Sequence, residues 1–387
     1  MKVNVRSTSL GVMRRVRRFW RGSSDPVGQQ RDADSRHYFA ELFNHLVAEA
    51  AERGADREQI AEALGAATEA MADVLAQRLQ ADAPRMLREH RKIRNDFERR
   101  LQLRWAPALD LYECVRVCCL EVGEAFHKRH SAHSDGNDFK RSALTLLHAR
   151  ACLVASEVQG LLRSGHAAGA QARWRTLHEL AVISFVVGEH DPEISERFLL
   201  HRNAERYKDA VQYQQYCEAL GYEQFSAEEM EEFRRMHDEV IAKYGPSFRK
   251  DWGWAIPLLP VGKQPSFAEL EKIAGLEHFR PWVRLSSHGI HSGATGTMHV
   301  MGLHSGSPDV MLVGPSNAGL ADPGNGALIS LHHVTAAFLL HGGPRGPEPQ
   351  DLVTLKAIAR LLDQAQQAFL NVHLALQAEE SAIQSRT

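Results

Sequence analysis

The sequence predicts a mainly all-α fold: an irregular multi-helix bundle carrying a small β-hairpin insertion. Three observations predict it. Apolar residues recur three and four positions apart along most of the 387-residue chain, which is the spacing of one helix face. Helix-end chemistry punctuates that pattern, with Ser, Asp or Pro at starts and Gly at stops. Beyond His291 the texture changes. Glycines at 293, 296, 302, 306, 314, 319, 324 and 326 surround two strand-like runs, Thr297 to Leu303 and Asp309 to Val313.

Taken in order, residues 1–35 read as a basic, flexible tail, with a transit segment or a basic arm touching RNA or membrane as alternatives. Between Lys2 and Arg21 it holds seven Lys or Arg and no acid. Residues 36–83 read as an N-terminal helical hairpin. Phe39, Leu42, Phe43, Leu46 and Val47 lie on one helix, which Gly54 stops. Asp56 caps a second helix carrying Ile60, Leu64, Met71, Leu75 and Leu79, and Pro84 marks its end. Residues 84–382 read as the main helical domain, with the hairpin and its loops inserted at about 293–326. Within it the spacing predicts a charged helix from Arg85 to Arg100. A second runs from Trp105 to Lys128 with Pro107 in its first turn, and long helices follow at about 139–164 and 168–188.

The helix at 168–188 turns apolar all round between Leu180 and Val187, so it belongs at the centre. Asp191-Pro192 opens the next helix and Gly221 closes it. Ser226 with Glu229 and Ser266 with Glu269 are two capping-box signatures. A helix from about Ala327 to Leu340 follows. In the last helix Leu355, Ile358, Leu362, Ala365, Phe369, Val372 and Leu376 form a heptad seam, either an internal stripe or a dimer contact.

Composition excludes several classes. With 44% hydrophobic and 24% charged residues the chain is an ordinary globular one, and a net charge of −2 gives no overall basic field. The basic N-terminal stretch has no apolar core of the length a secretory signal needs, so export is not expected. No run approaches the roughly 18 uninterrupted apolar residues of a membrane span. Five cysteines without framework spacing read as reduced thiols in the cytoplasm, with Cys114 and Cys118 as small core residues.

Two segments can carry chemistry. In Arg284-Leu285-Ser286-Ser287-His288-Gly289-Ile290-His291, helical spacing puts Arg284, Ser287 or His288, and His291 on one face, about 10 Å of axial rise from end to end. An imidazole can exchange a proton near neutral pH, and a guanidinium can hold charge developing on phosphorus. Such a pair suits metal-free RNA cleavage, in which a 2′-hydroxyl attacks its own phosphate. The bland reading makes the histidines helix-terminal residues and Arg284 a surface ion-pair partner. The second segment, Arg173 to Glu179, opens the central helix. Arg175 and Glu179 pair along it, either as a structural ion pair or facing the first segment across a cleft with His178.

His178-Glu179 does not make a zinc-peptidase helix, since Val182 stands where the second histidine belongs. No spacing joins His201, His299, His304, His332 or His333 to a carboxylate or cysteine as a metal set, and no cofactor is expected. Trp252 and Trp254, beside Arg249 and Lys250, suit stacking on a base or covering a cleft, or more ordinarily anchoring a long loop to the core.

From about Glu98 to Leu376 the chain resembles a bacterial family known as domain-of-unknown-function family 5677. The likeness rests on Ala172 to Leu180, Trp252-Gly253-Trp254-Ala255, Leu285 to Ser292 and Gly314-Pro315-Ser316. The family brings no activity with it. The Arg284-to-His291 spacing also resembles the HEPN superfamily of helical bundles, many of them ribonucleases in toxin and antiphage systems. Leu285 and Gly289 depart from that pattern. The HEPN resemblance implies a metal-independent endoribonuclease acting on RNA as a homodimer. His291 would be the acid/base, Arg284 the transition-state stabiliser, Ser287 or His288 an accessory, and Arg175 with Glu179 the orienting pair. The alternative is a non-catalytic binding or scaffold protein in which these residues are structural.

Overall fold

The computed structural model describes residues 41, 43–45, 47–131, 138–291, 293–298, 301–302 and 311–385. The basic tail, His299 and His304 lie outside the described residues. The chain divides into two units, Met1–Asp96 and Phe97–Thr387, within a single helix.

That helix, α1 (Arg57–Ser131), is where expectation and structure first part. It begins as predicted. Gly54 adopts a left-handed φ of 72°, and Asp56 Oδ1 accepts from Gln59 N at 2.9 Å. It then runs through both Pro84 and Pro107 instead of stopping at one and restarting before the other. Each proline frees the carbonyl four residues back, at Gln80 and Leu103. All four residues are exposed, so water can satisfy those carbonyls.

The second unit is built around α3. Helices α2 (Phe139–Arg163), α3 (Ala167–Glu189) and α4 (Pro192–Leu220) follow one another, and α5 (Ala227–Tyr244) packs on α4. Two 3₁₀ turns, Pro246–Arg249 and Gly253–Leu258, lead to the short α6 (Phe267–Ile273). Then come α7 (Arg280–Ile290), α8 (Ala294–Met298), α9 (Ala321–His341) and α10 (Pro349–Gln384). α3 packs against α2, α9 and α7, so its apolar stretch is covered on several sides, as its all-round hydrophobicity requires. Trp105, Tyr112, Trp174 and Phe369 are completely buried, and Tyr112 donates to Ala155 O at 2.9 Å.

Local signals fix several ends. Gly221 ends α4 at φ 70°, and Ser226 and Glu229 complete their capping box on α5. Ser266 makes no such box, because Glu269 is drawn away by Lys263 and Lys272. Helix α9 starts six residues before Ala327, through Pro323, Gly324 and Gly326. A Cβ on Gly324 would lie 2.5 Å from the Phe369 ring, and one on Gly326 would lie 2.8 Å from Trp174 Nε1. Close ring packing therefore outweighs the poor helix preference of glycine.

The heptad seam is internal: Ile358, Ala365 and Phe369 are buried in the chain's own core. Cys114, by contrast, is exposed, and Cys119 is the buried thiol of that stretch.

The expected β-hairpin is not formed by the described residues. Ala294–Met298 is helical, Met301 and Gly302 make a turn, and residues 311–313 have no regular structure. Residues 299–300 and 303–310 lie outside the described residues. Helix wins at 294–298 because α8 folds onto the end of α7, where a Cβ at Gly296 would stand 1.8 Å from His288 O. Among the described residues there is no β-strand, and no helix is long and apolar enough to cross a membrane.

Candidate functional site

The N-terminal half of α3 is polar on the side that meets α6 and α7. Gln171, Arg175, His178 and Glu179 follow one another at helical spacing there, and Gln171 and His178 are buried. A buried amide or imidazole must be partnered, and α7 supplies partners through two adjacent serines. Ser286 donates to Trp282 O at 2.8 Å and accepts from Gln171 Nε2 at 2.8 Å. Ser287 donates to Val283 O at 2.8 Å and accepts from Arg175 Nη1 at 3.2 Å. Both hydroxyl protons are thus committed to α7 carbonyls, so Ser287 acts here as an acceptor.

Arg175 Nε lies 3.2 Å from Glu179 Oε1, with both side chains under a third exposed. Burial lifts the Glu179 carboxyl above the usual range, while the Arg175 charge beside it pulls the other way. The structure places Arg175 against both Glu179 and Ser287, in direct contact rather than across a cleft.

His178 has a different partner. Its Nε2 is 3.1 Å from Glu271 Oε1 on α6, and Arg280 Nη1 is 2.5 Å from Glu271 Oε2. Glu271 is completely buried, and Trp174, Phe267 and Phe279 ring the imidazole at 5.4 to 6.0 Å. Sequence reasoning missed Glu271. A signal was present: it falls on the apolar stripe of α6 with Phe267, Leu270 and Ala274, where an unpaired carboxylate would be costly.

Arg284 and His291 are exposed on α7, His288 is half-buried, and none of the three side chains bonds to a described residue. His291 sits at the C-cap, with its N–H donating to Ser287 O at 2.9 Å. The structure thus leaves Arg284 and His291 facing outward, while their neighbours Ser286 and Ser287 hold the helix from behind.

With that geometry in view, the comparisons are narrow. Residues 141–308 match the family of unknown function DUF5677. No curated protein and no solved structure matches the chain. The DUF5677 segment takes in α3, α6 and α7, and so every candidate residue from Arg175 to His291. It leaves out Gly314-Pro315-Ser316 and the last two helices, which the broader resemblance from Glu98 to Leu376 had included. Among the described residues, no group of three His, Cys, Asp or Glu is placed to hold a metal ion.

Proposed function

We propose that this protein is a metal-independent endoribonuclease of the HEPN kind. The observation that supports this reading is the pair Arg284 and His291, exposed on one face at the C-terminal end of a helix anchored from behind. In the proposed step the 2′-hydroxyl of RNA attacks the adjacent phosphorus. The P–O5′ bond breaks, and a 2′,3′-cyclic phosphate and a free 5′-hydroxyl result. His291 takes the proton from the 2′-hydroxyl or returns one to the departing 5′-oxygen, and Arg284 offsets charge on the phosphoryl oxygens. His288 lies beside the pair as an accessory, Arg175 and Glu179 hold Ser287 and thereby α7, and a second copy of the chain would supply a second site.

The test is cleavage of a labelled RNA by purified protein in excess chelator, beside growth and RNA integrity in an expressing bacterial host. His291→Ala should lose cleavage and toxicity at unchanged Tm. Full activity in that variant overturns the reading.

A second reading, a non-catalytic binding or scaffold protein, is favoured by the same inward bonds. Gln171 and Arg175 bond to Ser286 and Ser287, and Arg175 lies against Glu179, so most of this polarity is accounted for without chemistry, although Gln171 Oε1 and Arg175 Nε are left without a hydrogen-bond partner. That reading expects intact RNA with wild type and variant alike.

A further inference from the structure

A cavity of about 570 Å³ opens between α2, α3, α4 and the loop at 251–254, away from α7. Its floor is apolar, formed by Leu147, Leu180, Ile183 and Phe198, and its volume is that of small-molecule sites. Two guanidiniums, Arg150 from α2 and Arg202 from α4, stand at its rim. Neither bonds to any described residue. Of the two carboxylates in the lining, Asp251 lies 3.5 Å from Lys208, and Glu205 lies 3.3 Å from the His201 ring, which carries no charge to offset it unless protonated. Two free guanidiniums against one uncompensated carboxylate, Glu205, leave the lining net positive.

Trp252 forms part of the wall, in a left-handed conformation of φ 61°. It is the one non-glycine residue with positive φ among the described residues. A bulky side chain is strained there, and glycine would hold the same turn without strain. Strain that persists in a wall residue points to a use for its side chain. The surroundings enforce the conformation. On α4, Arg197 Nε donates to Trp254 O at 3.0 Å, and His201 Nε2 donates to Lys250 O at 3.1 Å. These two buried side chains, one turn apart, pin the loop on either side of Trp252. The half-buried indole lines the same cavity as the two arginines, and its ring lies 5.6 Å from that of Phe267.

We infer that this cavity binds a small planar anion: an aromatic ring that stacks on Trp252, bearing a phosphate or carboxylate that pairs with Arg150 and Arg202. The inference stands independently of the ribonuclease reading, because no residue of α7 takes part. Phosphate-bearing and carboxylate-bearing rings share the chemistry, so the test uses both. Tryptophan fluorescence of the full chain is titrated with adenosine 5′-monophosphate, 2-naphthoate, adenosine and inorganic phosphate.

One of the two ring-bearing anions should bind saturably, at least tenfold more tightly than adenosine or phosphate. Arg150→Gln and Arg202→Gln should each weaken it at least fivefold, read by calorimetry. Trp252→Gly should lose binding tenfold or more while keeping or raising Tm, since glycine relieves the backbone. Absence of binding by both anions, wild-type affinity in both arginine variants, or a lowered Tm in Trp252→Gly would each overturn the proposal. RNA cleavage is not read in any arm, so failure of the ribonuclease reading leaves this result untouched.

Discussion

Gly123 and His148 offer the sharpest test of the packing. Gly123 lies within α1, and a Cβ there would stand 2.1 Å from His148 Cε1 and 2.7 Å from its Nδ1. The ring cannot step aside. It is buried, stacks on Phe338 at a centroid distance of 4.9 Å, and has its Nε2 3.3 Å from Thr335 Oγ1. Replacing glycine by alanine inside a helix ordinarily stabilises by about 1 kcal/mol. Here overpacking costs about 1–3 kcal/mol, and displacing a buried imidazole from its hydroxyl partner costs about 1–3 kcal/mol more. Gly123→Ala should therefore destabilise by roughly 1–5 kcal/mol net. Gly160 in α2 is the control. It is exposed and an added Cβ meets no atom within 4 Å, so Gly160→Ala should stabilise by about 0.5–1 kcal/mol. Urea unfolding followed by far-ultraviolet dichroism reads both. In a His148→Ala background the penalty at 123 should vanish, as a double-mutant cycle would show. Equal stability of Gly123→Ala and wild type, or a penalty that survives loss of the imidazole, would refute the argued contact.

Four further outcomes are expected. Burial lowers His148 to a pKa of about 4 from 6.5, so the unfolded chain binds a proton in that interval and the folded chain does not. The contribution of His148 should be full above about pH 6.5 and fall by up to roughly 3 kcal/mol towards pH 4, and His148→Gln should reduce the slope of urea midpoints to the part left by the other buried histidines, His333 above all. Glu271→Ala should cost about 3 kcal/mol or more by thermal unfolding, because it leaves buried His178 without its acceptor; a cost under about 1 kcal/mol would contradict the bonding described. Gly289→Ala should be tolerated, having no atom within 4 Å. Gly296→Ala should push α8 off α7 with little change in global Tm, read as faster amide exchange at 294–298.

Much of the helical framework was legible because its signals are local. The Ser226–Glu229 box, Gly221 and Asp56 each act within one turn of their own position, so residue identity alone suffices. What was misread depended on partners distant in the chain. Pro84 reads as a helix end and Pro107 as a helix start, yet the carbonyls they free, at Gln80 and Leu103, belong to exposed residues that water can reach, and one helix runs through both. Gly324 and Gly326 look like loop until the rings of Phe369 and Trp174 are known to lie against them. The alternating run near Thr297 resembled a strand, but its close approach to His288 O selects helix. At the candidate site the Arg175–Glu179 pair was readable from its four-residue spacing, and its link to Ser287 was anticipated as a facing segment. The buried Glu271 bridge was not, since the order of residues does not say which helix covers α6.

The two serines of α7 have a mechanical consequence. Successive residues on a helix point about 100° apart, so Ser286 and Ser287 grip α3 along two different radii. A single bond would leave α7 free to roll about its own axis. Two bonds at an angle, to Gln171 and to Arg175 one turn further along α3, resist rolling and sliding together. Whatever meets Arg284 and His291 thus meets a face of fixed bearing, and loosening either serine should turn that face before it melts the helix.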